Sequence, residues 1–301
     1  MAFSISRNNG LHRVQYELSR YDIEDISKSV ANMSCQKLRA NIFSRIGSFS
    51  EEAKAYKVFV DKYELAVKIP ILHKSQEYQI GRKLTEEYPG YFLKTITNKW
   101  CDPKSFNDLM GYRYHEPEPL ELIFMELAVG DLKQVIDDGI NNLFLENYIA
   151  DVFESVAIMA KKRKVHFDLH IRNVFIVVRH TTGCYSKSGG SDHCNNVYAV
   201  LGDFGKSKDA HYMTSNLDDL FTFFKDLRFY IFGDRENTDK CCHLNYLKDK
   251  IEYFRLNFLL PMYRYLEDYD IDESLETWDS NFVYDKIMEL RDNWRSIPIP
   301  I

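Results

Sequence analysis

The sequence lacks the features that mark membrane, secreted or nucleic-acid-binding proteins. No run of about 18 apolar residues occurs, so we expect no membrane-spanning helix. Residues 1–7 turn polar too soon for a signal peptide, and Ala2 excludes N-myristoylation. The formal net charge is −6, so no overall basic field indicates nucleic acid as a specific partner. These absences favour a cytoplasmic, intracellular protein that does not associate with a membrane.

Cysteine is also sparse. The six cysteines are scattered at positions 35, 101, 184, 194, 241 and 242. Without a secretion signal, we expect them to be reduced thiols. The sequence does contain enough apolar residues for a hydrophobic core, since 45% of its 301 residues are hydrophobic and 14% are aromatic. That composition predicts a folded chain of one large domain or two ordinary ones.

The most informative stretch is residues 165–178. Asp168 and Asn173 stand five residues apart and precede the apolar run Val174–Val178, which predicts a strand. Phosphoryl transfer needs a carboxylate to orient an attacking hydroxyl and a carboxamide oxygen to hold Mg²⁺. With His166, the pattern His-x-Asp-x₄-Asn leading into a strand resembles the catalytic loop of protein kinases. The resemblance implies that Asp168 and Asn173 are catalytic.

A second part of the kinase pattern lies upstream. The β-like runs 53–60 and 63–69 flank a turn at 60–62, which predicts a hairpin. The second run contains Ala66-x-Lys68 and is similar to the Val-Ala-Ile-Lys strand of kinases. The resemblance implies that Ala66 contacts the adenine and that Lys68 holds the α- and β-phosphates of ATP.

A third part lies downstream. The predicted strand 197–201 leads into Gly202-Asp203-Phe204-Gly205. A strand that ends in Asp-Phe-Gly after a catalytic loop resembles the magnesium-binding motif of kinases. The resemblance therefore implies that Asp203 and Asn173 hold the metal, Mg²⁺ or Mn²⁺, against the phosphates.

Lysine in this position needs an acidic partner. Residues 75–84 predict a helix, and Glu77 is the candidate that would hold Lys68 in place. Glu86 and Glu87 are the alternatives, but they stand directly before a Tyr-Pro-Gly sequence that ends the helix.

The phosphate-binding loop resembles that of kinases only in part. In residues 44–50, Gly47 remains, while Arg45 and Ser50 take the places of the other two glycines. The resemblance implies that Ile46 and Gly47 contact ATP. Glycine lets backbone N–H groups approach phosphates closely, so its loss leaves the nucleotide affinity open.

Residues 120–128 predict a buried strand that resembles the kinase hinge. The resemblance implies that Met125 closes the adenine pocket and that Glu126 and Leu127 contact the nucleotide. Asp131 follows at the start of a predicted helix. It would contact the ribose or a basic substrate residue, and it would equally serve as the helix N-cap.

Two residues of the catalytic-loop pattern depart from regulated kinases. Phe167 replaces the arginine that normally binds a phosphorylated activation loop, so we expect no control of that kind. His170 stands two residues after Asp168, where serine/threonine kinases carry lysine. Asp-Leu-His at this place is more similar to haspin and to aminoglycoside phosphotransferases.

The segment after Asp203 is short. Only residues 206–216 separate the Asp-Phe-Gly motif from a predicted hydrophobic helix at 217–224, and no Ala-Pro-Glu occurs. We expect Asp218, or alternatively Asp219, to anchor the backbone of the catalytic loop.

The remaining sequence predicts mainly helices. A strand at 91–96 and a long polar connection at 97–119 interrupt this pattern. A zinc site in the 180–196 loop has no standard ligand spacing, so we expect a hairpin insertion there. The predicted helices cover residues 1–40 in part, 145–164, 244–258, 261–269 and 282–294.

The resemblance covers roughly residues 40–230 and implies an α+β, bilobal protein-kinase fold with ATP in the cleft. Its parts would be an N-terminal helical extension (1–40), a small β-rich lobe (41–128) and a larger helical lobe (129–301). The implied activity is ATP-dependent phosphorylation of a protein substrate, at serine or threonine. The departures resemble the compact kinases of large DNA viruses, which would place the protein in a host cell or virion. A small-molecule kinase of the aminoglycoside-phosphotransferase type and a pseudokinase scaffold remain alternatives.

Overall fold

The chain is a mixed α+β protein whose described residues form two compact units. The first, the sheet unit, comprises the described residues up to Val129 together with 177–178 and 197. The second, the helical unit, comprises the described residues of 130–176 and 198–298. The computed structural model describes residues 18–46, 53–70, 76–110, 118–140, 142–178, 197–233, 244–272 and 279–298.

The sheet unit is built on antiparallel strands arranged in the order β1-β2-β3-β5-β4. The predicted hairpin is confirmed, since β2 and β3 pair along their whole length around a turn at 61–62. Asp61 adopts a positive φ of 52° in this turn, a conformation that aspartate tolerates better than most residues. The strands are β1 (Ile42–Ile46), β2 (Ala53–Val60), β3 (Tyr63–Pro70), β4 (Thr95–Cys101) and β5 (Leu120–Glu126).

Short helices pack against this sheet. The first begins with a capping box in which the Ser19 and Asp22 side chains bond each other's backbone N–H. Its Ile26 and Val30 are fully buried in the same core as Val58 on β2. The helix predicted near the N-terminus is confirmed and belongs to the core of the sheet unit. The helices are α1 (Arg20–Asn32), α2 (Cys35–Asn41), α3 (Glu77–Glu87) and α4 (Asn107–Met110), the last preceded by a 3₁₀ turn (Pro103–Phe106).

The prediction of a strand at 91–96 followed by a polar connection is wrong in its bounds, because strand β4 begins at Thr95 and ends at Cys101. The strand extends to Cys101 because its polar residues have partners. Asn98 Nδ2 donates a hydrogen bond to Glu121 Oε1 on β5 at 2.7 Å. Lys99 Nζ donates to two carbonyl oxygens near the end of α1 at 2.9 and 2.8 Å. These partners lie far away in sequence, so the polar composition of the segment concealed the strand.

A disulfide joins the first residue of α2, Cys35, to the last residue of β4, Cys101. Their Cα atoms are 5.7 Å apart, within the usual range for a disulfide. The prediction of reduced thiols is therefore wrong for this pair. The other four cysteines lie outside the described residues.

The helical unit is organised around a central helix, α6, that is buried along most of its length. Phe153 of α6 meets two aromatic side chains from other helices, Phe224 and Phe254, and both of these meet Trp294. Neighbouring ring centroids in this cluster are 5.3–5.7 Å apart. The helices are α5 (Leu132–Asp137), α6 (Asn142–Lys161), α7 (Ser215–Phe232), α8 (Asn245–Phe254), α9 (Leu260–Asp272) and α10 (Ser280–Ser296).

The helices predicted at 145–164 and in the C-terminal region are confirmed in type. A π-helical turn (Arg255–Leu259) joins α8 to α9. Within the described ranges, no helix is both long enough and apolar enough to cross a membrane.

Short strands frame the candidate site. A three-stranded sheet has the order β6-β8-β9, and β7 pairs with β10. The residues between β7 and β8 form the 166–173 loop, and β9 leads directly into Gly202 and Asp203. The strands are β6 (Gly130–Asp131), β7 (Lys164–Val165), β8 (Val174–Val178), β9 (Val197–Leu201) and β10 (Lys208–Asp209).

Candidate active site

The 166–173 loop is anchored by one face of α7. The backbone N–H groups of His166 and Phe167 donate to the two carboxylate oxygens of Asp219 at 2.7 and 2.9 Å. The N–H of Ile171 donates to Asp226 at 2.9 Å. The two aspartates are seven residues apart, close to two helical turns, so both reach the loop.

The anchoring residue is Asp219, and the prediction that preferred Asp218 is wrong. Asp218 is exposed, whereas Asp219 is 3% exposed. Adjacent helical residues point about 100° apart, so only one of the two can face the loop. Burial raises the pKa of Asp219 to about 7, although its two backbone hydrogen bonds oppose that shift.

His166 connects the loop to the segment before Asp203. Its Nε2 lies 2.8 Å from the carbonyl oxygen of Gly202, which can only accept, so Nε2 carries the proton. Nδ1 has no hydrogen-bond partner among the described residues. The ring is fully buried and lies 5.6 Å from the ring of Phe204. Burial lowers the pKa of His166, so the side chain is neutral and acts as a fixed connection.

Asn173 ties the end of the loop to both motifs. Its Nδ2 donates to the carbonyl oxygen of Asp168 at 2.9 Å. Its own carbonyl oxygen accepts from Gly202 N–H at 3.1 Å. Both peptide groups of Gly202 are therefore hydrogen-bonded, the N–H to the carbonyl oxygen of Asn173 and the C=O to the His166 ring. This arrangement fixes the residue that precedes Asp203 against the loop that carries Asp168.

The carboxylate of Asp168 has two cationic or polar neighbours. Lys206 Nζ lies 3.2 Å from its Oδ2, and His170 Nε2 lies 4.0 Å from its Oδ1. His170 Nδ1 accepts a hydrogen bond from Arg172 N–H, so the proton of a neutral His170 is on Nε2. The side chain of Asp168 is 31% exposed. It can therefore both be oriented and meet a substrate hydroxyl.

The predicted metal ligands, Asn173 and Asp203, offer oxygen atoms of the kind that Mg²⁺ prefers. Because Asn173 Nδ2 is a donor to Asp168, the oxygen Oδ1 is the atom that would face a cation. Asp203 is half-buried and adopts a positive φ of 59°. In the described ranges, no group of three or more His, Cys, Asp or Glu side chains is placed to hold a metal. Two protein oxygens suit Mg²⁺, which usually keeps water or phosphate as further ligands.

In the sheet unit, Lys68 and Glu77 form a buried ion pair. Lys68 Nζ lies 2.8 Å from Glu77 Oε1, and the two side chains are 10% and 4% exposed. The strand β3 delivers Lys68, and Glu77 is the first residue of α3. The helix N-terminus favours a carboxylate there. The competing Glu86 pairs with Arg82 on the same helix at 2.5 Å.

The predicted hinge residues lie at the end of β5. Met125 pairs with Ala66 in the sheet register, and both are buried. The backbone N–H of Glu126 donates to the carbonyl oxygen of Lys94, and Glu126 Oε1 accepts from Lys94 N–H at 2.7 Å. Leu127 follows the strand and is half-buried.

Of three further residues predicted to bind the nucleotide, the structure describes two, Ile46 and Asp131. Ile46 is the last residue of β1 and pairs with Ala55, but Gly47 lies outside the described residues. Asp131, in the helical unit, is the N-cap of α5 and accepts a hydrogen bond from Gln134 N–H at 2.8 Å. Burial raises the pKa of Asp131, although this hydrogen bond opposes the shift. The candidate zinc ligands of the 180–196 loop also lie outside the described residues.

Sequence reasoning missed Lys206 and Asp226. For Asp226, the signal was the spacing of seven residues from Asp219 on an apolar helix. For Lys206 no local signal exists, because its contact with Asp168 spans 38 residues of sequence.

Comparison with protein-family models and with curated proteins finds no match for this chain.

Proposed function

We propose that this protein is an ATP-dependent protein kinase of bilobal fold, which transfers the γ-phosphoryl group to a serine or threonine hydroxyl. In this proposal the sheet unit corresponds to the small lobe and the helical unit to the large lobe. The main observation that supports this proposal is that the backbone of Gly202 is hydrogen-bonded to both His166 and Asn173. That connection brings the Asp168 loop and the Asp203 segment into one fixed arrangement, which phosphoryl transfer requires.

Each residue has a role that its geometry supports. Asp168 would accept the hydrogen of the attacking hydroxyl and orient its oxygen. Asn173 and Asp203 would hold Mg²⁺ or Mn²⁺, which neutralises phosphate charge when bound. Lys68 would contact the α- and β-phosphates of ATP, and Glu77 would keep its ammonium in place. All of these roles depend on charge and position, so isosteric neutral replacements should fail.

The absence of an arginine before Asp168 supports activity without activation-loop phosphorylation. Phe167 is 51% exposed at that position and has a positive φ of 61°. A phenylalanine ring cannot bind a phosphate as a guanidinium does. We therefore expect phosphatase-treated protein to keep its full activity.

A small-molecule kinase is the second candidate, favoured by the short connection after Asp203. A 3₁₀ turn (Phe204–Lys206), strand β10 and a few further residues lead directly into α7 at Ser215. This leaves little chain to form a platform for an extended peptide.

The proposed cytoplasmic or virion location can be tested through the Cys35–Cys101 disulfide. Disulfides are rare in the cytosol and persist on virions. The protein would be alkylated in cells or in virions before any reduction, and mass spectrometry would show whether Cys35 and Cys101 are joined. A reduced pair would indicate the cytoplasm, and an intact disulfide would indicate the virion.

The activity is tested by incubating the purified chain with radiolabelled ATP and Mg²⁺, alone, with mixed proteins and with small hydroxyl compounds. Label on protein supports the first candidate, and label only on small molecules supports the second. Nucleotide-dependent thermal stabilisation without any transfer would instead indicate a pseudokinase.

Matched variants make this test specific. Asp168→Asn and Lys68→Met should both abolish transfer. Asp168→Asn should keep the wild-type stability, whereas Lys68→Met removes the ammonium that pairs with the buried Glu77 carboxylate and lowers stability, so it is assayed below its unfolding midpoint. Asp209→Asn and Lys62→Met remove the same charges at exposed positions and should remain active. Unchanged turnover in Asp168→Asn or Lys68→Met would contradict the proposal.

A further inference from the structure

We infer that Lys206 is a positioning residue for this reaction, which holds Asp168 and offsets its charge where an anionic phosphoryl group must approach. The inference rests on the proposed function and adds a residue that the sequence pattern did not assign.

The ion pair between Lys206 and Asp168 is to one carboxylate oxygen. Lys206 Nζ lies 3.2 Å from Oδ2, whereas Oδ1 faces His170 Nε2 at 4.0 Å. The two oxygens therefore have different cationic or polar neighbours, which favours one orientation of the carboxylate. Defined orientation matters because a proton acceptor works only within hydrogen-bond reach of the correct hydroxyl.

The backbone of Lys206 is fixed to the loop that carries Asp168. Phe204 begins the same 3₁₀ turn, is 2% exposed and packs against the His166 ring. Ser207 N–H donates to the carbonyl oxygen of Phe204 at 3.1 Å, and Ser207 Oγ donates to that of His166 at 3.4 Å. Lys206 therefore belongs to a segment that is packed and hydrogen-bonded against the loop.

The exposure of this ion pair indicates that Lys206 affects the rate of phosphoryl transfer rather than the stability of the fold. The side chains of Lys206 and Asp168 are 47% and 31% exposed. Ion pairs with this much solvent contact contribute little to stability because water and salt screen them. A phosphoryl group that approaches the hydroxyl beside Asp168 would nevertheless meet carboxylate repulsion at close range. An ammonium at this place reduces that repulsion during transfer.

The test is steady-state kinetics of phosphoryl transfer for Lys206→Ala, Lys206→Arg and the control Lys208→Ala. We expect Lys206→Ala to lower kcat at least about tenfold with little change in the KM for ATP, because the charge acts during transfer. Lys206→Arg keeps the cation and should stay within about threefold of the wild type. Lys208 is exposed two residues further on and contacts the Phe167 ring, so its removal should change kcat less than about twofold.

The outcomes separate this inference from the proposed function. An active wild type with unchanged kcat in Lys206→Ala would overturn the inference alone. A higher kcat in Lys206→Ala would also overturn it, since the pair would then block Asp168. A wild type without transfer, indistinguishable from Asp168→Asn, would overturn the proposed function itself. If Lys206→Ala proves unstable, the comparison of Lys206→Arg with Lys206→Gln decides, and equal kcat values in these two would overturn the inference.

Discussion

The anchor provided by Asp219 gives a quantitative prediction, because one buried carboxylate both accepts two backbone hydrogen bonds and titrates near neutral pH. In Asp219→Ala, the N–H groups of His166 and Phe167 lose their acceptors. A buried donor left without a partner costs about 1–3 kcal/mol. The His166 N–H is buried, whereas the Phe167 N–H is only partly buried. We therefore expect Asp219→Ala to lower the free energy of unfolding at pH 5 by about 1–3 kcal/mol.

Asp219→Asn adds a pH signature. Burial raises the pKa of Asp219 from the ordinary 3.8 to about 7, so the folded state holds a proton that the unfolded state has released. The stability from this protonation is present below pH 4 and disappears as the pH rises through 7. Asparagine does not titrate. Between pH 5 and pH 8, the wild type should therefore lose about 3 kcal/mol relative to Asp219→Asn, at about 1.4 kcal/mol per pH unit below the folded pKa.

The assay is urea unfolding followed by tryptophan fluorescence at pH 5, 6, 7 and 8, with linear extrapolation to water. The control, Asp209→Asn, removes a carboxylate whose side chain is 72% exposed. It should change the unfolding free energy by less than about 1 kcal/mol throughout. A constant difference between wild type and Asp219→Asn from pH 5 to pH 8 would show that Asp219 is not protonated in the fold. Wild-type stability in Asp219→Ala would refute the anchoring role.

Three further substitutions test the rest of the structure. Glu77→Gln removes the carboxylate charge that pairs with the buried Lys68 ammonium and should destabilise the chain by about 3–5 kcal/mol in urea unfolding. An unchanged midpoint would contradict the buried pair. Cys35→Ser opens a loop of 66 residues and should cost about 2–4 kcal/mol, a loss that dithiothreitol should reproduce only in the wild type. Asp226→Ala should cost about 1–3 kcal/mol by the same assay, and full stability would mean that the loop N–H finds another acceptor.

The sequence by itself determined the elements that depend on near neighbours along the chain. The apolar run Val174–Val178 is a strand, and the pattern around 60–62 is a hairpin. Asp131 caps a helix because its side chain reaches an N–H only three residues away. The long helices followed from apolar periodicity. In the hairpin and the N-cap the stabilising contact is local, and in the strand and the long helices the apolar pattern marks the side chains that become buried, so the residue pattern contains the signal.

Only the tertiary structure decided the contacts that join distant segments. The choice of Asp219 over Asp218 depended on how α7 is rotated, and helix periodicity alone does not specify which face meets the loop. Lys206 meets Asp168, and Cys35 meets Cys101, across long separations in sequence. Strand β4 persists despite its polar residues because partners on other elements satisfy them. The residue types for phosphoryl transfer could be located from the chain, whereas the groups that hold and orient them are specified by packing.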